Sequence, residues 1–226
     1  MRWPASICAV LLCAALAPAP LAQARVQVAP GMEIQLSSGS ACTLGFLAGN
    51  DAGKRLAVTA GHCADGPGEG VYTKNGGLIG EVVAHYPDSE NIAEGFGVTV
   101  LELDSRVEIA DGFFTRYGNP RPGDAVAKYG STTAGTEGEI TSVDVDEEFP
   151  RYSVMRSTLL AEHGDSGSPW FADTDAGPML YGITIGHFAD PDSGATRGAY
   201  GFPIDSLVAY ARQASPEWGA GFMPGS

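Results

Sequence analysis

Two short segments carry residues whose types suit nucleophilic catalysis. Ser166 lies in residues 164–169 (GDSGSP), and His62 lies in residues 59–63 (TAGHC). Glycines on both sides of a serine allow the positive φ angles of a sharp turn and let a substrate approach the backbone closely. Such a turn exposes the hydroxyl and directs amide N–H groups at a developing oxyanion. Because serine alone is a weak nucleophile, it needs a base, and His62 is the candidate.

The two segments in this order resemble the chymotrypsin-like serine proteases, in which histidine lies in T-A-[AG]-H-C and serine in G-D-S-G. The resemblance implies that Ser166 is the nucleophile, that His62 is the general base, and that the N–H groups of Gly164 and Ser166 form the oxyanion hole. Asp165 is predicted to hold the loop rather than to act on the substrate. Taken singly, Ser166 also fits an ordinary turn serine and His62 a surface histidine; the pair favours catalysis.

The third member of the triad is harder to assign. The family places an aspartate at the head of a D-[IYF]-[AG]-[VIL] strand, and the best match here, residues 95–98 (GFGV), puts Gly95 at that position. A shift of register gives Asn91, an amide. Glu94 is therefore the tentative third member and Asp88 a more distant option, although each alone also fits a solvated loop acid. The carboxylate matters because it fixes the tautomer of the histidine.

By the same resemblance, residues 159–163 and 184–187 form the walls of the substrate pocket. The candidate pocket residues are Leu160, Ala161, Ile185, Gly186 and His187. Leu160 and Ala161 favour an apolar side chain at P1, the residue before the scissile bond, whereas His187 or His163 favours an acidic one. Both histidines also fit positions at the rim of the cleft.

These residues need a scaffold, and the composition predicts a β-rich one. The 226 residues include 31 glycines and 15 prolines, and short β-type runs alternate with turns, as in all-β sandwiches and barrels. The predicted strands cover residues 44–48, 55–59, 78–86, 96–103, 125–129, 139–145, 152–155 and 179–185. Apolar residues at 204, 207, 208 and 211 predict one helix after Pro203.

The likeness continues along most of the chain. Residues 41–46 (ACTLGF), 129–135 (YGSTTAG) and 200–204 (YGFPI) are similar to segments of the secreted bacterial streptogrisin-type, alpha-lytic-like branch. This branch implies two packed six-stranded antiparallel β-barrels with a C-terminal α-helix and a cleft between the barrels. The protease domain is predicted over residues 41–213, after a lead-in at 25–40 and before a flexible tail at 214–226.

Residues 1–24 are predicted to be a secretory signal peptide. They combine Arg2, an apolar run over residues 7–16 and a small-x-small site at 22–24. The predicted localisation is therefore extracellular or in the periplasm and cell envelope. Two cysteines leave with the signal, and the remaining pair, Cys42 and Cys63, is expected to form a disulfide in an oxidising compartment.

The charge and the cysteines also exclude some classes of partner. The formal net charge of −14, one unit more negative without Arg2, argues against nucleic acid and anionic membranes. Two cysteines without Cys-x-x-Cys spacing do not predict a metal site. Cofactors are not expected, and a monomer acting on peptides or proteins is.

The sequence thus supports two classes of function. The first is a secreted serine endopeptidase that uses Ser166 and His62, with an esterase as a minor variant. The second is a protease-fold protein that binds peptides with little or no turnover, because Gly95 stands where the family has its aspartate.

Overall fold

A computed structural model describes residues 25–89, 95–110 and 114–225. The strands are β1 (Val26–Val28), β2 (Glu33–Leu36), β3 (Ala41–Thr43), β4 (Phe46–Gly49), β5 (Arg55–Ala60), β6 (Gly70–Thr73), β7 (Leu78–Tyr86), β8 (Val98–Leu103), β9 (Val107–Ile109), β10 (Arg116–Tyr117), β11 (Ala125–Gly130), β12 (Ala134–Asp144), β13 (Val154–Ser157), β14 (Pro169–Ala172), β15 (Met179–Ala189), β16 (Thr196–Pro203) and β17 (Met223–Pro224). The α-helices are α1 (Ile204–Ala214) and α2 (Pro216–Gly219), and two 3₁₀ helices span Gly61–Cys63 and Pro150–Tyr152.

Apart from the two-stranded sheet of β1 and β9, the strands form two curved sheets that differ in closure. In the C-terminal half, the order β15-β14-β11-β12-β13-β16 returns to β15 and closes a six-stranded barrel. In the N-terminal half, the order β17-β4-β5-β8-β7-β6-β2-β3 forms a curled half-barrel, whose end strands do not pair among the described residues. The predicted all-β class with a C-terminal α-helix is confirmed, with an open sheet as the first half of the fold.

The packing of the core explains why apolar patterns in the sequence predict the strands and the long helix α1. Along α1, Ile204, Leu207, Val208 and Ala211 are all buried, as their spacing predicts. This face belongs to a large core that also contains most of the N-terminal sheet. A second cluster around Trp170 fills the C-terminal barrel.

Residues 25–40, predicted to be a lead-in, contain two strands in the structure. β1 pairs in parallel with β9, and β2 lies between β3 and β6 in the N-terminal sheet. Ile34 and Leu36 are buried because the short segment EIQL alternates polar and apolar residues, the period of a strand with one buried face. This segment is part of the sheet.

The glycine- and proline-bearing segment 214–226 predicts a flexible tail, whereas the structure packs it against the N-terminal sheet. Ser215 accepts a hydrogen bond from the Trp218 N–H at 3.0 Å and caps α2. Phe222 is fully buried, with its ring centroid 6.5 Å from that of Phe46, and β17 pairs with β4. One buried aromatic side chain therefore anchors the end of the chain. Among all the described residues of the chain, no helix is long and apolar enough to cross a bilayer.

Candidate active site

Ser166 lies in the turn between β13 and β14, and a buried carboxylate organises this turn from below. Asp165 Oδ1 accepts hydrogen bonds from the N–H groups of Thr132 and Thr133 at 2.9 and 3.1 Å. Its Oδ2 accepts from the Thr133 hydroxyl at 2.7 Å and from the Glu162 N–H at 3.0 Å. Asp165 thus has the structural role that the sequence predicts.

The charge of Asp165 is balanced by Lys128, a residue that the sequence analysis did not single out. Lys128 Nζ lies 3.2 Å from Asp165 Oδ2, and both side chains are fully buried. Burial alone would raise the pKa of the Asp165 carboxyl, but the hydrogen bonds from Thr133 and the neighbouring backbone, together with Lys128, hold this pKa below its usual range. The signal in the sequence that could have indicated a buried ion pair is the single lysine within the otherwise uncharged strand β11.

The turn is also docked onto the N-terminal half of the molecule. The Thr43 N–H donates to the Ser166 carbonyl at 2.8 Å, and the Thr43 hydroxyl donates to the Gly164 carbonyl at 2.8 Å. Gly167 has φ +85°, and a Cβ there would overlap the Thr59 hydroxyl and the Thr43 carbonyl. Only glycine allows this approach between the turn and β5, which leads directly to His62.

His62 lies in the 3₁₀ helix Gly61–Cys63 at the end of β5. The disulfide between Cys42 and Cys63 joins this helix to β3, as predicted. The two sulfur atoms lie close to the His62 imidazole, but a disulfide has no thiolate to offer a metal ion. The bridge therefore fixes the position of the histidine.

A carboxylate contacts the imidazole, and it belongs to Asp88. Asp88 Oδ2 pairs with His62 Nδ1, while Asp88 Oδ1 accepts a hydrogen bond from the Gly97 N–H. The Asp88 side chain is 13% exposed and that of His62 is 42% exposed. Burial raises the pKa of Tyr200, and the neighbouring Asp88 carboxylate raises it further.

This arrangement differs from the predicted ranking of Glu94 over Asp88. Glu94 itself lies outside the described residues. β7 and β8 are antiparallel neighbours with Tyr86 opposite Val98, so Asp88, two residues beyond β7, lies beside the residues just before β8. Gly95 occupies the position at which the family pattern has its aspartate, and its φ is +106°. The pairing of β7 with β8 thus brings the carboxylate of Asp88, just beyond the end of β7, to the Gly97 N–H just before β8.

His62 and Ser166 share one cavity of about 390 Å³. Its lining comprises His62, Ala161, Glu162, His163, Ser166, Thr184, Ile185, Gly186, His187 and Tyr200. Four of the five predicted pocket residues line it. Leu160 does not, because its side chain is turned outward and the residue is 51% exposed. Tyr200, which the sequence placed only on a closing strand, is an additional wall.

The backbone N–H groups expected to form the oxyanion hole are available. Among the described residues, neither the Gly164 N–H nor the Ser166 N–H donates to a backbone carbonyl, whereas the intervening Asp165 N–H donates to Glu162 at 3.0 Å. Gly164 has φ +98°, a conformation that favours glycine. An oxyanion hole requires N–H groups of this kind that have no other acceptor.

Comparison with characterised proteins places this site in a family. Streptogrisin-D of Streptomyces griseus is 31% identical over 188 residues, which cover 78% of this chain and 45% of the relative. The chain thus spans less than half of that relative's length. Glutamyl endopeptidase 2 of Streptomyces griseus is 30% identical over 162 residues, 66% of this chain and 79% of the relative. The chain belongs to the chymotrypsin-like serine proteases. The relatives place it in the streptogrisin-type branch.

The fold of this streptogrisin-type protein agrees with that of solved structures. A glutamic acid-specific serine protease, described as using a histidine triad in substrate binding, superposes with a TM-score of 0.61 at 25% identity. The match covers 81% of this chain and 96% of the other. No protein-family model matches the sequence.

Proposed function

We propose that the protein is a secreted serine endopeptidase in which Ser166, His62 and Asp88 act as a triad. The supporting observation is that Asp88 contacts His62 Nδ1 while the same imidazole and Ser166 line one cavity. A carboxylate at Nδ1 keeps the proton on that nitrogen and leaves Nε2 as the base. The predicted signal peptide, the action on peptides and the monomeric state belong to the same proposal.

The reaction follows from these positions. Nε2 of His62 takes the proton of Ser166 as the hydroxyl oxygen attacks the scissile carbonyl, and Asp88 stabilises the imidazolium that forms. The N–H groups of Gly164 and Ser166 stabilise the oxyanion, and each such donor contributes about 10²–10³ in rate. The imidazolium then protonates the leaving amine, and water repeats the sequence to release the acyl group.

A fluorophosphonate probe tests this proposal directly. We expect the probe to label Ser166 in the purified protein, and peptide hydrolysis to be lost in Ser166→Ala. Ser38→Ala is the matched control, since Ser38 is exposed in the turn between β2 and β3, and it should keep wild-type activity. A protein that is not labelled where trypsin is labelled would instead support the peptide-binding alternative, whose motive, the missing aspartate, is weakened by Asp88.

We further propose that the substrate carries an acidic P1 side chain. The rings of His163 and His187 meet edge to face with centroids 5.6 Å apart, and both line the cavity beside Ser166. Glu162, the acid in the same wall, accepts a hydrogen bond from the Thr196 hydroxyl at 2.6 Å. Two imidazoles suit a carboxylate ligand, and the similarity to glutamyl endopeptidase 2 agrees with this choice over an apolar P1.

Matched peptides with Glu, Gln or Leu at P1 test the substrate class. A hydrogen bond to a charged group contributes about 1.5–3 kcal/mol, so kcat/KM for Glu should exceed that for Gln by about 10- to 100-fold. His187→Gln and His163→Gln should reduce this ratio. His85→Gln should not, because His85 lies on β7 outside the cavity lining. A preference for Leu over Glu would contradict the acidic assignment.

A further inference from the structure

Arg151 connects the C-terminal barrel to the segment that carries Asp88. It lies in the 3₁₀ helix Pro150–Tyr152, between β12 and β13. Its Nη2 donates to the Ser89 hydroxyl at 3.1 Å, and its carbonyl accepts from the Phe96 N–H at 2.7 Å. One residue therefore binds both described ends of the connection between β7 and β8.

The two ends are also joined to each other, and they rest on the Arg151 side chain. The Ser89 N–H donates to the Gly95 carbonyl at 3.0 Å. A Cβ at Gly95 would lie 2.7 Å from Arg151 Nε and 3.0 Å from its Cγ. The glycine at the expected aspartate position thus gives Arg151 room to pack against the backbone beside Asp88.

The guanidinium group is held from its other side by α1. The Arg151 Cζ lies 5.8 Å from the centroid of the Tyr210 ring, which meets Tyr86 at the end of β7 edge to face at 5.6 Å. Burial raises the pKa of Tyr210; the charge of Arg151 lowers it and that of Asp88 raises it. Arg151 from the C-terminal half and Asp88 from the N-terminal half therefore both act on the same tyrosine.

One atom of the Arg151 guanidinium is buried by packing and not by hydrogen bonding. Its Nε is buried and has no hydrogen-bond partner among the described residues. A buried polar group without a partner is uncommon and calls for an explanation. The close approach of the Gly95 backbone accounts for the burial of Nε, while Nη2 of the same guanidinium pairs with Ser89.

We infer that Arg151 is a positioning residue that keeps Asp88 against His62. Arg151 belongs to the barrel that carries Ser166, whereas Asp88 follows a strand of the other sheet. The packing of the two halves therefore sets the position of Asp88 relative to His62. This inference rests on the proposed function. Its test needs a readout that a general loss of stability would not move.

Arg151→Met retains a linear apolar side chain but removes the donors and the charge. Misplacement of a catalytic group by about 1 Å costs roughly 10²-fold in rate, so we expect kcat to fall by up to about that factor, with KM within about twofold of wild type. Arg151→Lys, which keeps a donor, should lose less. Arg156→Met is the control, because Arg156 is an exposed residue on β13 that pairs with Asp144 at 2.8 Å, and its kcat should not change.

A double-mutant cycle with Asp88→Asn separates positioning from a structural effect. If Arg151 acts through Asp88, Arg151→Met should have no further effect on kcat in the Asp88→Asn background. The inference would be overturned if Arg151→Met lowered kcat by the same factor in both backgrounds. It would also be overturned if Arg151→Met left the kcat of the otherwise wild-type protein unchanged.

Proton NMR gives a readout that does not depend on turnover. The proton between His62 Nδ1 and Asp88 should give a low-field resonance in the wild-type protein, and this resonance should be absent or shifted upfield in Arg151→Met. A resonance that persists unchanged would refute the role of Arg151 even if the protein hydrolysed nothing. An absence of Ser166-dependent hydrolysis with the expected NMR change would refute only the proposed function.

Discussion

The turn that carries Ser166 and the connection that carries Asp88 reach the same cleft by different means. Asp165, under the serine, is fully buried and its two oxygens accept from backbone, hydroxyl and ammonium donors of one barrel. Asp88 is partly exposed and uses one oxygen for the Gly97 N–H and the other for His62. Asp165 is held by contacts within one barrel, whereas the position of Asp88 depends on how two strands and two halves of the molecule meet.

The largest expected effect is on the acid. Asp88→Asn should lower kcat by about 10⁴-fold, because an amide at Nδ1 favours the wrong tautomer of the triad histidine. Steady-state kinetics on the Glu peptide would measure this, with thermal unfolding to show that the fold persists. Glu81→Gln is a suitable control, since Glu81 is an exposed acid on the same strand, β7. A loss below about tenfold would mean that another group orients His62.

The second effect concerns the support of the nucleophile. Lys128→Met leaves the buried Asp165 without its counter-ion, and breaking one partner of a buried pair costs about 3–5 kcal/mol of unfolding free energy. Lys54→Met is the matched control, because Lys54 pairs with Glu102 at 2.7 Å with both side chains partly exposed. Its cost should be at most about 1 kcal/mol. Urea unfolding would measure the loss of unfolding free energy in both variants. Similar losses would contradict the expected difference between the buried and the exposed ion pair.

The smallest expected effect is the pH dependence that the same carboxylate contributes. The pKa of Asp165 is lowered in the folded protein, so its stabilising contribution is complete above the unfolded pKa of about 3.9 and is lost as the pH falls through the lower folded value. Urea unfolding between pH 6 and pH 3 should therefore show a larger loss for the wild type than for Asp165→Asn. Parallel losses would show that other carboxylates account for the acid sensitivity.

The parts of the site that could be predicted are those encoded by contiguous residues. The nucleophile turn needs its glycines beside Ser166, the disulfide follows from the only two cysteines beyond residue 24, and the α1 stripe is set by a period of 3.6 residues. In each case a short motif or a residue type is enough to identify the feature, although distant contacts with Asp165 and Thr43 hold the serine turn in place.

The parts that were missed depend on contacts between distant segments. Neither Lys128 nor Arg151 belongs to a recognisable motif, and only the folded barrel brings them to Asp165 and Gly95. The contact of Asp88 with His62 depends on the pairing of Tyr86 with Val98, a register that the sequence alone does not specify. The packed tail depended on a hydrophobic contact that no local pattern indicates, the one between Phe222 and Phe46.

The bridge between Cys42 and Cys63 has a further consequence for when the site becomes complete. Ser166 is hydrogen-bonded to Thr43, Thr43 follows Cys42, and Cys63 follows His62, so a short path of bonds spans the two reacting side chains. In a glutathione-rich compartment these thiols would stay reduced and the path would be interrupted at its covalent step. Oxidation of Cys42 and Cys63 would then complete the covalent link between β3 and the helix that carries His62.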